Sequence, residues 1–181
     1  MPMVTDEAIQ TLEEMIDSDR DKRYELVDGR LMEKHDMGAY ANRFGGILFL
    51  FIGNFIFQNK LGHFFPDTEF TCFPGRIRRP DFSFIRGSRL SGKDVPRGRL
   101  SLPPDLAIEV VSPNDSFYEV NQRIADYLQA GVKEVWIVDP ELRTISIRKS
   151  GVPTIELDEN STLKSDDLLP GFALKVSEIF Q

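Results

Sequence analysis

The sequence predicts an α/β protein, a mixed β-sheet with helices packed on its faces, and two observations predict it. DLAIEVV (105–111) is followed by a helical pattern and then by EVWIVD (134–139), the strand–helix–strand order of a parallel crossover. Upstream, YELVDGRLMEK (24–34) reads as two short extended runs around Asp28-Gly29, a strong signal for an antiparallel two-residue turn. A chain that carries both parallel and antiparallel pairings builds a mixed sheet.

The elements follow in order. TDEAIQTLEEMID (5–17) predicts a helix, with Thr5 as its N-cap and acidic residues in the first turn. After the hairpin comes a long helix over roughly 38–59, then a strand in TEFTCF (68–73), a turn at Pro74-Gly75 and a strand in DFSFI (81–85). Residues 87–104 are rich in Gly, Ser, Pro and basic side chains and read as a loop. SPND opens the next helix, which places Phe117, Val120, Ile124, Tyr127 and Leu128 on one face and stops at Gly131. From Thr144 onward short strands and turns are expected, punctuated by Leu169-Pro170-Gly171.

With 181 residues, 41% of them hydrophobic and 28% charged, the chain is expected to form one domain over 1–181 with a sizeable core. Cys72 is the sole cysteine, so no intramolecular disulfide or cysteine-rich metal site is possible, and a reducing, cytoplasmic location fits. No basic-then-apolar leader is apparent. The run ILFLFIGNFIF (47–57) is short for a membrane span. It reads as a helix buried in the core or in a subunit interface, with Gly45, Gly46 and Gly53 allowing close approach, so no membrane partner and a homodimer are expected.

The net charge of −7 argues mildly against nucleic acid, but the charge is unevenly spread. Between residues 76 and 99, Arg76, Arg78, Arg79, Arg86, Arg89, Lys93, Arg97 and Arg99 face only Asp81 and Asp94, an excess of +6. Such a segment is either a phosphate-binding patch or a loop kept soluble by its arginines.

Glu109 sits among Leu106, Ala107, Ile108, Val110 and Val111, where an isolated carboxylate is costly. Strand alternation puts Asp81, Ser83 and Ile85 on one face of DFSFI, and Glu109 with Asp105, Ala107 and Val111 on one face of DLAIEVV. If these strands are antiparallel neighbours, Asp81 and Glu109 lie close together. Two such carboxylates repel, so one is protonated unless a cation separates them, and removing either charge should relieve strain. Mg²⁺ suits the pair. Equally, Asp81 can cap a turn after Pro80, and Glu109 can pair with a buried arginine.

At this point the residues resemble a known family. RRPDFSFI, PPDLAIEVVSPND, VNQRIADYLQAGVKEVWIVDP, YELVDGRLME and the closing LPGFALKVSEIF are together similar to the Uma2 family, also called DUF820, restriction endonuclease-like proteins of the PD-(D/E)XK nuclease superfamily. The resemblance runs from residue 24 to nearly the end of the chain. It implies a restriction endonuclease-like core, and it assigns Asp81 and Glu109 as ligands of Mg²⁺ or Mn²⁺, with the Val110 carbonyl a further ligand and Glu25 completing the site. The superfamily lysine belongs two residues after the glutamate, where this chain has Val111. In this family it is expected on the following helix, at the position of Arg123, which can hold a phosphate or simply pair with Glu109 but is a poor general base. Tyr40 stands where the family's helix-start histidine is expected. His35 and His63 show no ligand spacing and read as surface or structural residues.

The resemblance thus implies a Mg²⁺-dependent endonuclease that hydrolyses DNA phosphodiester bonds. Its catalytic residues would be Glu25, Asp81, Glu109 and Arg123, and Arg76, Arg78, Arg79, Arg97 and Arg99 would hold DNA. The alternative is a nuclease-fold protein of impaired chemistry that acts as a nucleic-acid-binding or assembly module. Arginine in place of lysine motivates it.

Overall fold

The computed structural model describes residues 5–18, 23–34 and 37–181. His35 lies outside them. The helices are α1 (Asp6–Ser18), α2 (Ala39–Gln58) and α3 (Phe117–Ala130). The strands are β1 (Tyr24–Val27), β2 (Arg30–Glu33), β3 (Gly62–Pro66), β4 (Phe70–Phe73), β5 (Arg76–Arg78), β6 (Phe82–Arg86), β7 (Leu106–Val110), β8 (Glu134–Asp139), β9 (Thr144–Lys149), β10 (Val152–Leu157), β11 (Thr162–Lys164) and β12 (Ala173–Lys175).

A six-stranded mixed sheet in the order β10-β9-β8-β7-β6-β3 forms the centre. Within it β7 and β8 are parallel, joined through α3, and the other neighbours are antiparallel. A second sheet, β2-β1-β5-β4, carries α1 on one side. Asp28 (φ 49°) and Gly29 (φ 71°) both take left-handed backbone, the geometry of a primed hairpin turn, which is why β1 and β2 pair without slip. At α1, Thr5 Oγ1 accepts the Ala8 N–H at 3.3 Å, as its capping role requires.

The pleat of β7 separates two cores. Leu106, Ile108 and Val110 face α2 and the C-terminal segment together with Phe82, Phe84 and Trp136. Ala107 faces α3 with Ile85, Val135 and Ile137. Glu109 follows Ala107 by two residues and so lies on the α3 side, within reach of that helix.

Three expectations change. GHFFP (62–66) gives no strand signal, since Gly and Pro disfavour strands, yet it pairs along its length with β6 as the sheet edge. Phe117, placed on the packing face of α3 by periodicity, is 86% exposed at the first residue of the helix, and burial on that face begins at Val120. Helix α2 is 20 residues long and, by length and composition, apolar enough to cross a membrane, contrary to the reading from residues 47–57 alone. Leu48, Ile52 and Ile56 on its inner face are nevertheless fully buried against the sheet. Of the three glycines expected to admit close approach, two do so. A Cβ on Gly45 would stand 3.2 Å from Val110 Cγ2, and one on Gly53 3.1 Å from the Phe64 ring, whereas Gly46 meets nothing within 4 Å.

Candidate active site

The antiparallel register of β6 and β7 pairs Phe82 with Ile108. One step further along each strand stand Asp81 and Glu109, both almost wholly buried. Asp81 Oδ2 accepts the Val110 N–H at 2.7 Å, which stitches the two strand ends together. Asp81 and Glu109 line one cavity of about 100 Å³ with Glu25, Lys34, Arg78, Val110, Asp115 and Arg123.

Each carboxylate has a cation. Lys34, which follows β2, places Nζ 2.7 Å from Asp81 Oδ1 and also donates to the Arg79 carbonyl. Arg123 reaches from α3, with Nε 3.3 Å from Glu109 Oε2 and Nη2 2.5 Å from Asp115 Oδ1. The Tyr127 hydroxyl, one helical turn on, donates to Glu109 Oε1. Glu25 accepts from Arg78 Nη1 at 2.7 Å and from the Arg79 N–H at 2.9 Å, and Arg78 binds Asp126 on its other side. The capping box of Ser116 and Glu119 starts α3 at a defined residue, and so fixes where Arg123 and Tyr127 fall.

Burial pushes the Glu109 carboxyl up to about 7, assisted by the Asp81 charge and opposed by Lys34, Arg123 and the Tyr127 hydrogen bond. Burial also opposes the charge of Lys34, yet Glu109, Asp81 and Glu25 outweigh it and hold its pKa above the ordinary value. Arg123 is likewise held charged, by Glu109 and Asp115 against the cost of burial. Burial and the Glu109 charge push the Tyr127 phenol well up, so it remains a donor. Burial, more than the balance of charges, holds the Glu109 carboxyl up, and the two cations in contact offset it only in part.

A cation at this point would replace the solvation that burial takes from Glu109. Asp81 and Glu109 offer hard carboxylate oxygens into one cavity, and each oxygen has lone-pair capacity beyond its present partner. Among the described residues no group of three or more His, Cys, Asp and Glu side chains surrounds a common point. Two carboxylates and a backbone carbonyl, the rest being water, is the lean donor set that Mg²⁺ accepts. The residues fit the metal.

The basic segment is arranged differently from expectation. Arg76 pairs with Asp28 and Asp126, Arg78 with Glu25 and Asp126, Arg79 with Glu69, and Arg99 with Glu13 and Asp17. Four of the eight basic residues behind the local excess are thus met by carboxylates from other segments, and these four arginines do not form an unpaired phosphate-facing row. Of the five arginines expected to hold DNA, Arg78 alone lines the cavity. Arg97 is exposed on the loop between β6 and β7, which joins the strand ends opposite Asp81 and Glu109. Tyr40 is half-exposed and packs edge-on against Phe44.

Lys34 and Tyr127 are the residues that sequence reasoning missed. For Lys34 the available signal was a lysine closing the second strand of a hairpin whose first strand carries Glu25. For Tyr127 it was the i, i+4 spacing from Arg123.

A family model described as "Putative restriction endonuclease", Uma2, matches residues 9–177. The chain belongs to the Uma2 family. No curated protein matches the sequence. Among solved structures, the crystal structure of a "putative nuclease belonging to DUF820" from Anabaena variabilis superposes with a TM-score of 0.79 at 19% sequence identity, over 87% of this chain and 89% of that one. The Uma2 chain and that protein share a fold, a mixed sheet flanked by helices, as the sequence led one to expect.

Proposed function

We propose that this Uma2 protein is a metal-dependent endonuclease that hydrolyses DNA phosphodiester bonds in the cavity where β6, β7, the end of β2 and α3 meet. The single observation that carries the reading is the meeting of Asp81, Glu109 and the Lys34 ammonium at one buried point. Asp81, Glu109 and the Val110 carbonyl would hold Mg²⁺ or Mn²⁺, which supplies Lewis-acid polarisation of the phosphate and a water of lowered pKa.

The chain's own groups do the rest. Lys34, held charged, is an electrostatic partner for a phosphate oxygen and for the charge that grows on it at the transition state. The lysine function thus falls to Lys34, and Arg123 becomes the residue that holds Glu109 in place and offers its guanidinium to phosphate. Tyr127 fixes the Glu109 rotamer, and Arg78 fixes Glu25.

One observation favours the binding-module reading: both oxygens of Asp81, Glu109 and Glu25 already have protein partners. A cleavage assay on single-stranded, duplex and branched DNA with Mg²⁺ or Mn²⁺ separates the two. The nuclease reading expects metal-dependent cleavage by the natural protein, with Asp81→Asn and Lys34→Met each reducing it by ~10²-fold or more. Inertness on all three substrates, together with undiminished DNA binding, would leave the binding module.

A further inference from the structure

We propose that the outer face of α2 is a self-association surface whose occupant is a second copy of this chain. The inference does not depend on the nuclease reading. Helix α2 carries two apolar seams. The inner one, through Ala41, Phe44, Leu48, Ile52 and Ile56, is buried in the protein's own core.

On the opposite side Ile47, Leu50, Asn54 and Phe57 recur at spacings of three, four and three residues, with Phe51 beside them. That is the 3.5-residue repeat by which helices pack against helices. Leu50 is 72% exposed, Phe57 78% and Phe51 39%. Next to the seam, Phe64 from the edge strand β3 lies against Gly53 and is 40% exposed. At ~200 Å² for a full aromatic side chain, these residues present about 450 Å² of apolar surface, at the level of the largest patch on an ordinary monomer.

Area and charge select the occupant. A standard two-fold interface hides ~800 Å² on each partner, roughly 65% of it apolar in homodimers, so this patch supplies most of the apolar centre that such an interface needs. A two-fold contact must be self-complementary, and an uncharged seam meets that condition where a charged one would repel its copy. From Phe44 to Gln58 there is no Lys, Arg, Asp or Glu. A nucleic-acid backbone would find no counter-charge there. An anionic bilayer recruits helices through clusters of flanking basic residues, whereas this seam is flanked by Arg43, bound to the Gln181 carbonyl, and by the single exposed Lys60, on a chain that carries −7. Asn54, polar in the middle of the seam, is the kind of residue that sets register and limits self-association to a defined number of copies.

The test is analytical ultracentrifugation of the full chain over about 1 μM to 1 mM, a range that spans ordinary dimer dissociation constants. The expected result is a concentration-dependent monomer–dimer equilibrium. Leu50→Glu and Phe57→Glu should each weaken it by about 30-fold or more, the factor expected of a central anchor. Both side chains point to solvent in the single chain, so thermal melts of the variants at low concentration should match the natural protein. If either variant folds poorly, Asn54→Asp replaces one exposed polar side chain by another and places like charges across the seam, and it should dissociate the dimer by itself. A natural protein that stays monomeric to 1 mM overturns the proposal. So does a dimer that survives all three substitutions, or a monomer that binds phosphatidylglycerol vesicles through Leu50 and Phe57.

Discussion

Replacing Glu109 by glutamine separates the electrostatic cost of the site from its packing. Burial pushes the carboxyl up from its ordinary 4.5 to about 7 in the folded chain. Between those values the folded state holds more protons than the unfolded state, so stability falls as pH rises through the window. The fall is complete once both states are ionised. At ~1.4 kcal/mol for each tenfold change in proton affinity, Glu109 withdraws about 3 kcal/mol from the metal-free protein above pH 7 and nothing below pH 4. Glutamine keeps the acceptor for the Tyr127 hydroxyl, and the two cations keep other partners, Arg123 with Asp115 and Lys34 with Asp81. The net gain for Glu109→Gln at pH 8 is therefore about 2–3 kcal/mol, or ~5–10 °C in Tm for a chain of this size. The assay is thermal and urea denaturation of both proteins in EDTA from pH 4 to 8.5, repeated with Mn²⁺. The two should be equally stable at pH 4 and diverge upward, and Mn²⁺ should raise the Tm of the natural protein alone. A stability difference that does not change with pH would refute the reasoning, as would a natural protein more stable than the variant at pH 8.

Asp81→Asn should behave in the opposite way: it leaves the buried Lys34 ammonium without its anion and should cost about 3 kcal/mol at pH 7, read from the urea midpoint. Arg78→Ala removes the shared cation between Glu25 and Asp126, leaving them the Arg79 N–H and the Arg76 guanidinium, and should cost about 3 kcal/mol in the same measurement, where a loss under about 1 kcal/mol would show that the network is solvated. Arg123→Lys should retain cleavage within about tenfold, since lysine keeps the charge, while Arg123→Ala should lose ~10²-fold, both read as metal-dependent nicking. Ser116→Ala removes the α3 capping box and should lower stability by ~1 kcal/mol, with a small loss of activity because Arg123 and Tyr127 shift with the helix start.

Much of the fold was determined by local sequence. The Asp28-Gly29 turn needs left-handed backbone, Ser116 and Glu119 cap one another within a single turn, and EVWIVD is apolar enough to be central, so β1–β2, α3 and β8 follow from neighbours in the chain. The juxtaposition of Asp81 and Glu109 was also legible, because a two-residue period and one assumption of antiparallel pairing place them together. What only the tertiary structure decided is which charge meets which. Lys34 and Asp81 are 47 positions apart, and Arg78 and Glu25 are 53 apart, and no local periodicity encodes such a pairing. The same reason explains the basic segment, which nets +6 in sequence but whose Arg76, Arg78 and Arg99 meet carboxylates supplied by α1, β1, the β1–β2 turn and α3. A charge count adds residues along the chain. Electrostatics acts across space, and in a low-dielectric interior the distant partner decides whether a side chain holds a substrate or holds the fold.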